Sequence, residues 1–138
     1  MSDATNKTKI LLIEDITGDA QAIIRSISYG DINQHYEIIR VSRLREAMGV
    51  LEEEQIQVVL LDLSLPDAKD IKALVEIKVL FPMVPVIVIS DQSDDRVIQR
   101  AKLNGASEFL SKSETSGVLI RKTIDRVISE KISELIDA

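Results

Sequence analysis

Four short apolar runs of this chain end directly in side chains that can do chemistry. Ile10-Leu11-Leu12-Ile13 is followed by Glu14-Asp15, Val58-Val59-Leu60-Leu61 by Asp62, Val86 to Ile89 by Ser90, and Phe109-Leu110 by Ser111-Lys112. Gathered in one place, these residues make a carboxylate nucleophile with oxygen ligands for a hard cation, a hydroxyl donor, and a compact positive charge. Three carboxylates within ~4 Å of one another repel by roughly 4 kcal/mol per pair at an effective dielectric of 20. Either one of them takes a proton or a divalent cation settles the conflict. Mg²⁺ suits oxygen ligands, few carboxylates, several waters and a phosphate. Such a set can accept and hold a phosphoryl group on Asp62, with Lys112 and the cation neutralising the equatorial oxygens during an in-line transfer.

The elements that must position these residues follow from the hydrophobic pattern. The runs at Ile10–Ile13, Val58–Leu61 and Val84–Ile89 are short, rich in branched side chains and bounded by polar residues, which predicts strands buried on both faces. Tyr36–Val41 and Ser107–Ser111 mix apolar and polar residues and read as edge strands. Between them, apolar residues recur at helical spacing: Ala20, Ile23, Ile24, Ile27; Leu44, Ala47, Val50, Leu51; Leu74, Ile77, Leu80; Val97, Ile98, Ala101, Leu103; and Ile120 through Leu135. Thr17, Ser42, Ser93 and the Ser113–Ser116 cluster stand where helices start, with Asp94 and Asp95 placed to favour the dipole. Gly30, Pro82 and Asn104-Gly105 stand where they stop.

Strands alternating with helices imply a parallel sheet with right-handed crossovers. Placing the three most apolar strands inside gives an α/β doubly wound, flavodoxin-like sheet of order 2-1-3-4-5. In that fold all strand C-termini share one rim, where ligands bind. Glu14, Asp15, Asp62, Ser90 and Lys112 are therefore expected to converge there.

Composition removes competing classes. The chain has 138 residues, 23 acidic against 17 basic, for a net charge of −6. That length suits one domain with its own core. There is no cysteine and a single histidine, so thiolate and imidazole metal sites and cysteine nucleophiles are excluded. Net negative charge with 3% aromatic residues speaks against a nucleic-acid surface. No apolar run approaches the ~18–20 residues that span a bilayer, and the polar start MSDATNKTK lacks the apolar centre of a secretory signal. The expectation is a cytoplasmic domain that engages neither nucleic acid nor membrane. The Glu14-Asp15-Ile16 segment also lacks the glycine-rich amide cradle of flavin- or nucleotide-binding relatives of this fold. Asp62-Leu63-Ser64 lacks the second aspartate, two residues on, of haloacid dehalogenase-type phosphotransferases.

At these residues, from about Lys9 to Ile132, the sequence resembles the receiver domain of bacterial two-component response regulators. Ile10–Asp15 is similar to that family's first strand with its acidic pair, and Leu60–Asp67 to its phosphoacceptor strand and loop. Val86–Ser90 is similar to the strand ending in a hydroxyl residue, and Gly105–Lys112 to the segment ending in lysine. The resemblance implies that Asp62 is phosphorylated by a sensor histidine kinase or a histidine phosphotransfer protein. It implies that Asp15 and Asp62 bind Mg²⁺ directly, with Glu14 acting through water and the Ser64 backbone carbonyl as a further ligand. Ser90 and Lys112 would hold the phosphoryl group, and Phe109 would be the aromatic switch that turns inward as Ser90 moves. Such a domain is not an enzyme beyond its own phosphorylation and slow dephosphorylation. Its expected output is the face of the fourth and fifth helices, which is also the expected surface of a homodimer.

Four positions depart from the family's pattern. Ser113 follows Lys112 where proline is usual, Asp70 stands where the loop after Asp62 usually has glycine, Asp91 follows Ser90 in place of a small residue, and Ile16 replaces a polar residue. Ser113, Leu63–Asp67 and Gly18-Asp19-Ala20 are similar to receivers at the head of sensor kinases and diguanylate cyclases. Asp91 and Ser113 motivate a second reading, a pseudo-receiver that signals through protein contacts without phosphorylation. The expected boundaries are an extended or disordered segment at 1–8, the receiver domain at 9–132 and a helical extension at 133–138. His35 is expected in a solvated loop away from the crevice.

Overall fold

The computed structural model describes residues 7–91 and 94–137. Its elements are β1 (Thr8–Ile13), α1 (Thr17–Ser28), β2 (Tyr36–Val41), α2 (Leu44–Glu53), β3 (Val58–Leu61), β4 (Ser64–Leu65), β5 (Ala68–Lys69), α3 (Lys72–Leu80), β6 (Val86–Ser90), α4 (Asp95–Leu103), β7 (Glu108–Ser111) and α5 (Gly117–Asp137). The main sheet has the order β2-β1-β3-β6-β7, and every pairing in it is parallel. This is the expected 2-1-3-4-5 order. The numbering differs because the antiparallel pair β4-β5, a two-residue hairpin too short to read from periodicity, lies after β3. Strand β1 begins at Thr8, the last residue of the expected N-terminal segment.

Period-two alternation along β1 builds the two halves of the core. Leu11 and Ile13 face Leu44, Ala47 and Leu51 of α2 together with Leu74 and Ile77 of α3. Ile10 and Leu12 face Ala20, Ile23 and Ile27 of α1 together with Ile120, Ile124 and Val127 of α5. Strands β3 and β6 are wholly buried, whereas β2 is half-buried throughout, as an edge strand should be. Each fully buried Leu or Ile contributes ~1.5–3 kcal/mol, so this double layer is what keeps the rim rigid.

Helix boundaries correct several expectations. Thr17 is the first helical residue of α1 and Ile16 occupies its cap position without a side-chain bond. Ser42 does not cap α2. Its amide donates to Glu46, while the first two amides of α2, at Leu44 and Arg45, donate to the Asp67 carboxylate at 2.9 and 3.0 Å. Asp94 caps α4 through Val97 N, and Ser116 caps α5 through Leu119 N. Ser93 lies outside the described residues. Leu80 and Leu103 continue the helical spacing but are exposed, because each falls at its helix's last residue, past the cover of the sheet. No described helix is long and apolar enough to cross a membrane.

Candidate functional site

Parallel pairing brings the C-terminal ends of β1, β3, β6 and β7 to one rim, and backbone hydrogen bonds carry the ladder one residue beyond the strands. Glu14 N donates to Val41 O, Asp62 N to Ile13 O and Lys112 N to Ser90 O, each at 3.0 Å. The functional side chains are thus rooted in the sheet and not in mobile loop backbone. Glu14, Asp62 and Ser90 are at most 2% exposed.

Lys112 enters this pocket from the last strand. Its Nζ lies 2.6 Å from Glu14 Oε1, 2.9 Å from Asp19 Oδ2 and 3.4 Å from Asp62 Oδ1. Three carboxylates therefore face one ammonium and keep an uncompensated negative charge. Burial alone would lower the lysine's pKa, but the close Glu14 and Asp19 carboxylates and the nearby Asp62 charge more than offset it and hold Lys112 protonated. Burial pushes the Glu14 carboxyl above its usual range, and the like charge of Asp62 adds to that, against the opposing pull of Lys112. Asp62 Oδ2 is buried and has no hydrogen-bond partner among the described residues. Glu14 Oε1 likewise makes no directional hydrogen bond despite its close ion contact, while Glu14 Oε2 accepts from Ile16 N at 3.1 Å. An under-satisfied buried carboxylate is costly unless something else occupies the site.

Of the three expected carboxylates, Glu14 and Asp62 meet at Lys112. Asp15 is exposed and lines an open cleft with Leu63, Ser64, Leu65, Pro66, Lys69 and Asp70, the residues that follow Asp62, and the third carboxylate around Lys112 is Asp19. Consecutive residues leaving a strand point to opposite sides, so burying Glu14 turns Asp15 outward. Among the described residues no group of three or more acidic or histidine side chains is arranged to enclose an ion by itself. Ser64 opens the β4-β5 hairpin opposite Lys69, at the mouth of the site. Phe109 stands beside Val88 in the β6-β7 register and is half-buried against the core under α2, α3 and α4.

The departures noted in the sequence have local solutions. Asp70 adopts φ 58°, so the loop keeps the left-handed turn that glycine would make, and its carboxylate pairs with Arg100 of α4 at 2.7 Å. The described chain has no cis peptide bond. The Lys112-Ser113 segment is instead held by the Thr115 hydroxyl donating to Ser111 O and by a 3.1 Å contact between the Ser111 and Ser113 hydroxyls. Asp91 is exposed and Ile16 is half out in solvent. His35 is exposed, at the far end of β1, with Nε2 3.1 Å from Thr8 Oγ1.

Two residues that the sequence reading did not place at the site belong to it. Asp19 sits in the first turn of α1, and in the sequence it stood out only within Gly18-Asp19-Ala20, with no role assigned. Arg40 of β2 donates from Nε and Nη2 to the carbonyl of Glu14 at 3.0 and 2.7 Å, and from Nη2 to that of Asp15 at 3.1 Å. It fixes the acidic loop from behind. A guanidinium in an edge strand carries no pattern that announces this role.

An α/β sheet with acids, a hydroxyl and a lysine on one rim defines a class of signalling domain, and comparison with known proteins agrees. Residues 10–124 match the response regulator receiver domain, and the chain belongs to that family. It is 28% identical over 120 residues to the two-component response regulator ORR1 of Oryza sativa subsp. japonica, covering 81% of this chain and 52% of that protein. It is 29% identical over 106 residues to the transcriptional regulatory protein KdpE of Staphylococcus aureus, covering 77% of this chain and 44% of that protein. The chain thus spans about half the length of the curated relatives it matches. Among solved structures, a response regulator receiver domain from Clostridium thermocellum is 27% identical, with a TM-score of 0.77 over 90% of this chain and 96% of that one. The receiver domain of an HD domain-containing protein from Pseudomonas fluorescens Pf-5 superposes with a TM-score of 0.84 over 100% of this chain and 98% of that one, at 18% identity. The fold and family place the chain in two-component signal transduction.

Proposed function

We propose that this chain is a phosphoacceptor receiver that takes a phosphoryl group onto Asp62 from a histidine kinase or histidine phosphotransfer protein in the cytoplasm. The observation that carries this reading is the state of Asp62. Its carboxylate is buried at a strand end with one oxygen unpartnered and the other 3.4 Å from an ammonium that has closer partners. In the transfer, an Asp62 oxygen forms a bond to phosphorus as the phosphorus–nitrogen bond of a phosphohistidine breaks, and the electron pair remains on the imidazole. Lys112 supplies fixed positive charge to the incoming oxygens, and the Ser90 hydroxyl donates to them. The chain is changed by this reaction and turns over no separate substrate.

The donor set fits a magnesium ion: oxygen ligands only, a buried acceptor left open, and surplus negative charge. Asp62 and Asp15 would bind it directly, Glu14 through water, and the Ser64 carbonyl would complete the protein's share. When bound, it supplies neutralisation of charge on the transferring group. Asp15 already faces the same cleft as Ser64. Phosphorylation is expected to draw Ser90 and Lys112 inward and reposition Phe109, which carries the change to α4 and α5. The exposed Ile132, Leu135 and Ile136 at the end of α5 support self-association through that side.

Incubation with a small phosphodonor and Mg²⁺, followed by intact-mass measurement, tests the reading. Wild type should gain the mass of one phosphoryl group and Asp62→Asn should not. No gain in wild type would instead favour the pseudo-receiver, and an undiminished gain in Asp62→Asn would move the acceptor elsewhere.

A further inference from the structure

Among the described residues Lys112 is the one cation paired with Glu14, Asp19 and Asp62, and its hydrogen bond goes to the side of α1. The Nζ donates to Asp19 Oδ2 at 2.9 Å and touches Glu14 at 2.6 Å, while Asp62 is left at 3.4 Å. Asp19 differs from Glu14 in kind. Glu14 is wholly buried and anchored by the Ile16 amide, whereas the Asp19 side chain is 36% exposed and its carboxylate meets no other polar partner among the described residues. Its carboxylate can therefore give up the ammonium and be solvated at little cost, which that of Glu14 cannot.

We propose that Asp19 is a positioning residue that acts through Lys112. It is a counter-ion that keeps the ammonium on the α1 side of the pocket and competes with a phosphoryl group on Asp62 for it. This rests on the phosphoacceptor reading and deepens it. Binding of the phosphoryl group must then draw part of the ammonium's hydrogen bonding away from Asp19. The residue thus sets how tightly the phosphorylated form is held without touching the reacting atoms. Asp19 also carries a negative charge that repels an incoming anion directly, and the two effects separate because only the first needs Lys112.

The test is a double-mutant cycle read by calorimetric titration with beryllofluoride in the presence of Mg²⁺, on wild type, Asp19→Asn, Lys112→Met and the double variant. Asp19→Asn should bind roughly fivefold more tightly than wild type, the scale of a partly exposed ion pair. The gain should vanish in the Lys112→Met background, and Asp19→Glu should restore wild-type affinity. Unchanged or weaker binding by Asp19→Asn overturns the proposal. So does an equal gain with Lys112 absent, which would reduce Asp19 to simple repulsion. Should Lys112→Met not fold, the Lys112 ammonium resonance decides: it should differ between wild type and Asp19→Asn when free and differ less when beryllofluoride is bound. Equal resonances in the free proteins contradict the proposal. Wild type failing to bind beryllofluoride at all removes the phosphoacceptor reading along with this one. Normal wild-type binding with no effect of Asp19 removes this inference alone.

Discussion

Lys112 Nζ stands 3.4 Å from Asp62 Oδ1 but 2.6 Å from Glu14 Oε1. The cation of the last strand leans towards the first strand and leaves the third strand's carboxylate the least compensated acid in the pocket. Asp62 is therefore a source of electrostatic strain. Replacing it by asparagine keeps the shape and removes the charge, and should raise stability by about 1 kcal/mol. Urea unfolding at neutral pH measures this, and a stability loss in Asp62→Asn would contradict it.

Removing the cation has the opposite effect. Lys112→Met keeps much of the side-chain volume but strands Glu14 and Asp62 as buried like charges. Breaking a buried pair in this way costs ~3–5 kcal/mol, a large part of the stability of a domain this size. The same unfolding experiment should show a far larger shift for Lys112→Met than for the exposed pair variant Arg100→Met, whose partner Asp70 is half in solvent.

Asp67 ties the loop after the phosphoacceptor strand to α2, across 23 and 22 residues of sequence. Desolvation would raise its pKa, but the amides of Arg45 and Leu44 favour the ionised form and hold it below the ordinary value. A lowered folded-state pKa means stability that is present above the unfolded value and lost as pH falls through the folded one. Asp67→Ala should cost about 1 kcal/mol at pH 7, and the deficit should shrink below about pH 4. Denaturation of both proteins across that range checks the sign.

Gly117 opens α5 against the end of α1, where an added Cβ would overlap the Ser26 carbonyl oxygen, a backbone atom with little room to yield. Gly117→Ala should lower stability by ~1–3 kcal/mol, whereas Gly18→Ala, which meets nothing nearby, should be close to neutral. Thermal unfolding of the two variants compares them directly.

What could be read from sequence followed from periodicity. The apolar runs of β1, β3 and β6 and the polar residues ending them fixed the sheet order and the rim, because period and burial are local properties. Glu14, Asp62, Ser90 and Lys112 were legible for that reason. Asp19, Arg40 and Asp67 were not, since each acts on a partner fixed only by tertiary packing, and Asp19 reaches Lys112 across 93 residues. Asp15 was read as converging with Glu14 and Asp62; it lines the cleft at Ser64, while Asp19 takes the third place around Lys112. Similarly, Ser42 looked like a cap while Asp67 performs that task from a distant loop.

The surplus negative charge around Asp62 is the centre of this account, and a magnesium titration of the unfolding midpoint in wild type and Asp62→Asn tests it most directly. The wild-type midpoint should climb with Mg²⁺, by a stabilisation of about 2.7 kcal/mol once the ion reaches ~100 times its dissociation constant, while that of Asp62→Asn stays nearly flat. A wild-type midpoint indifferent to Mg²⁺, or an equal climb in both proteins, would contradict it.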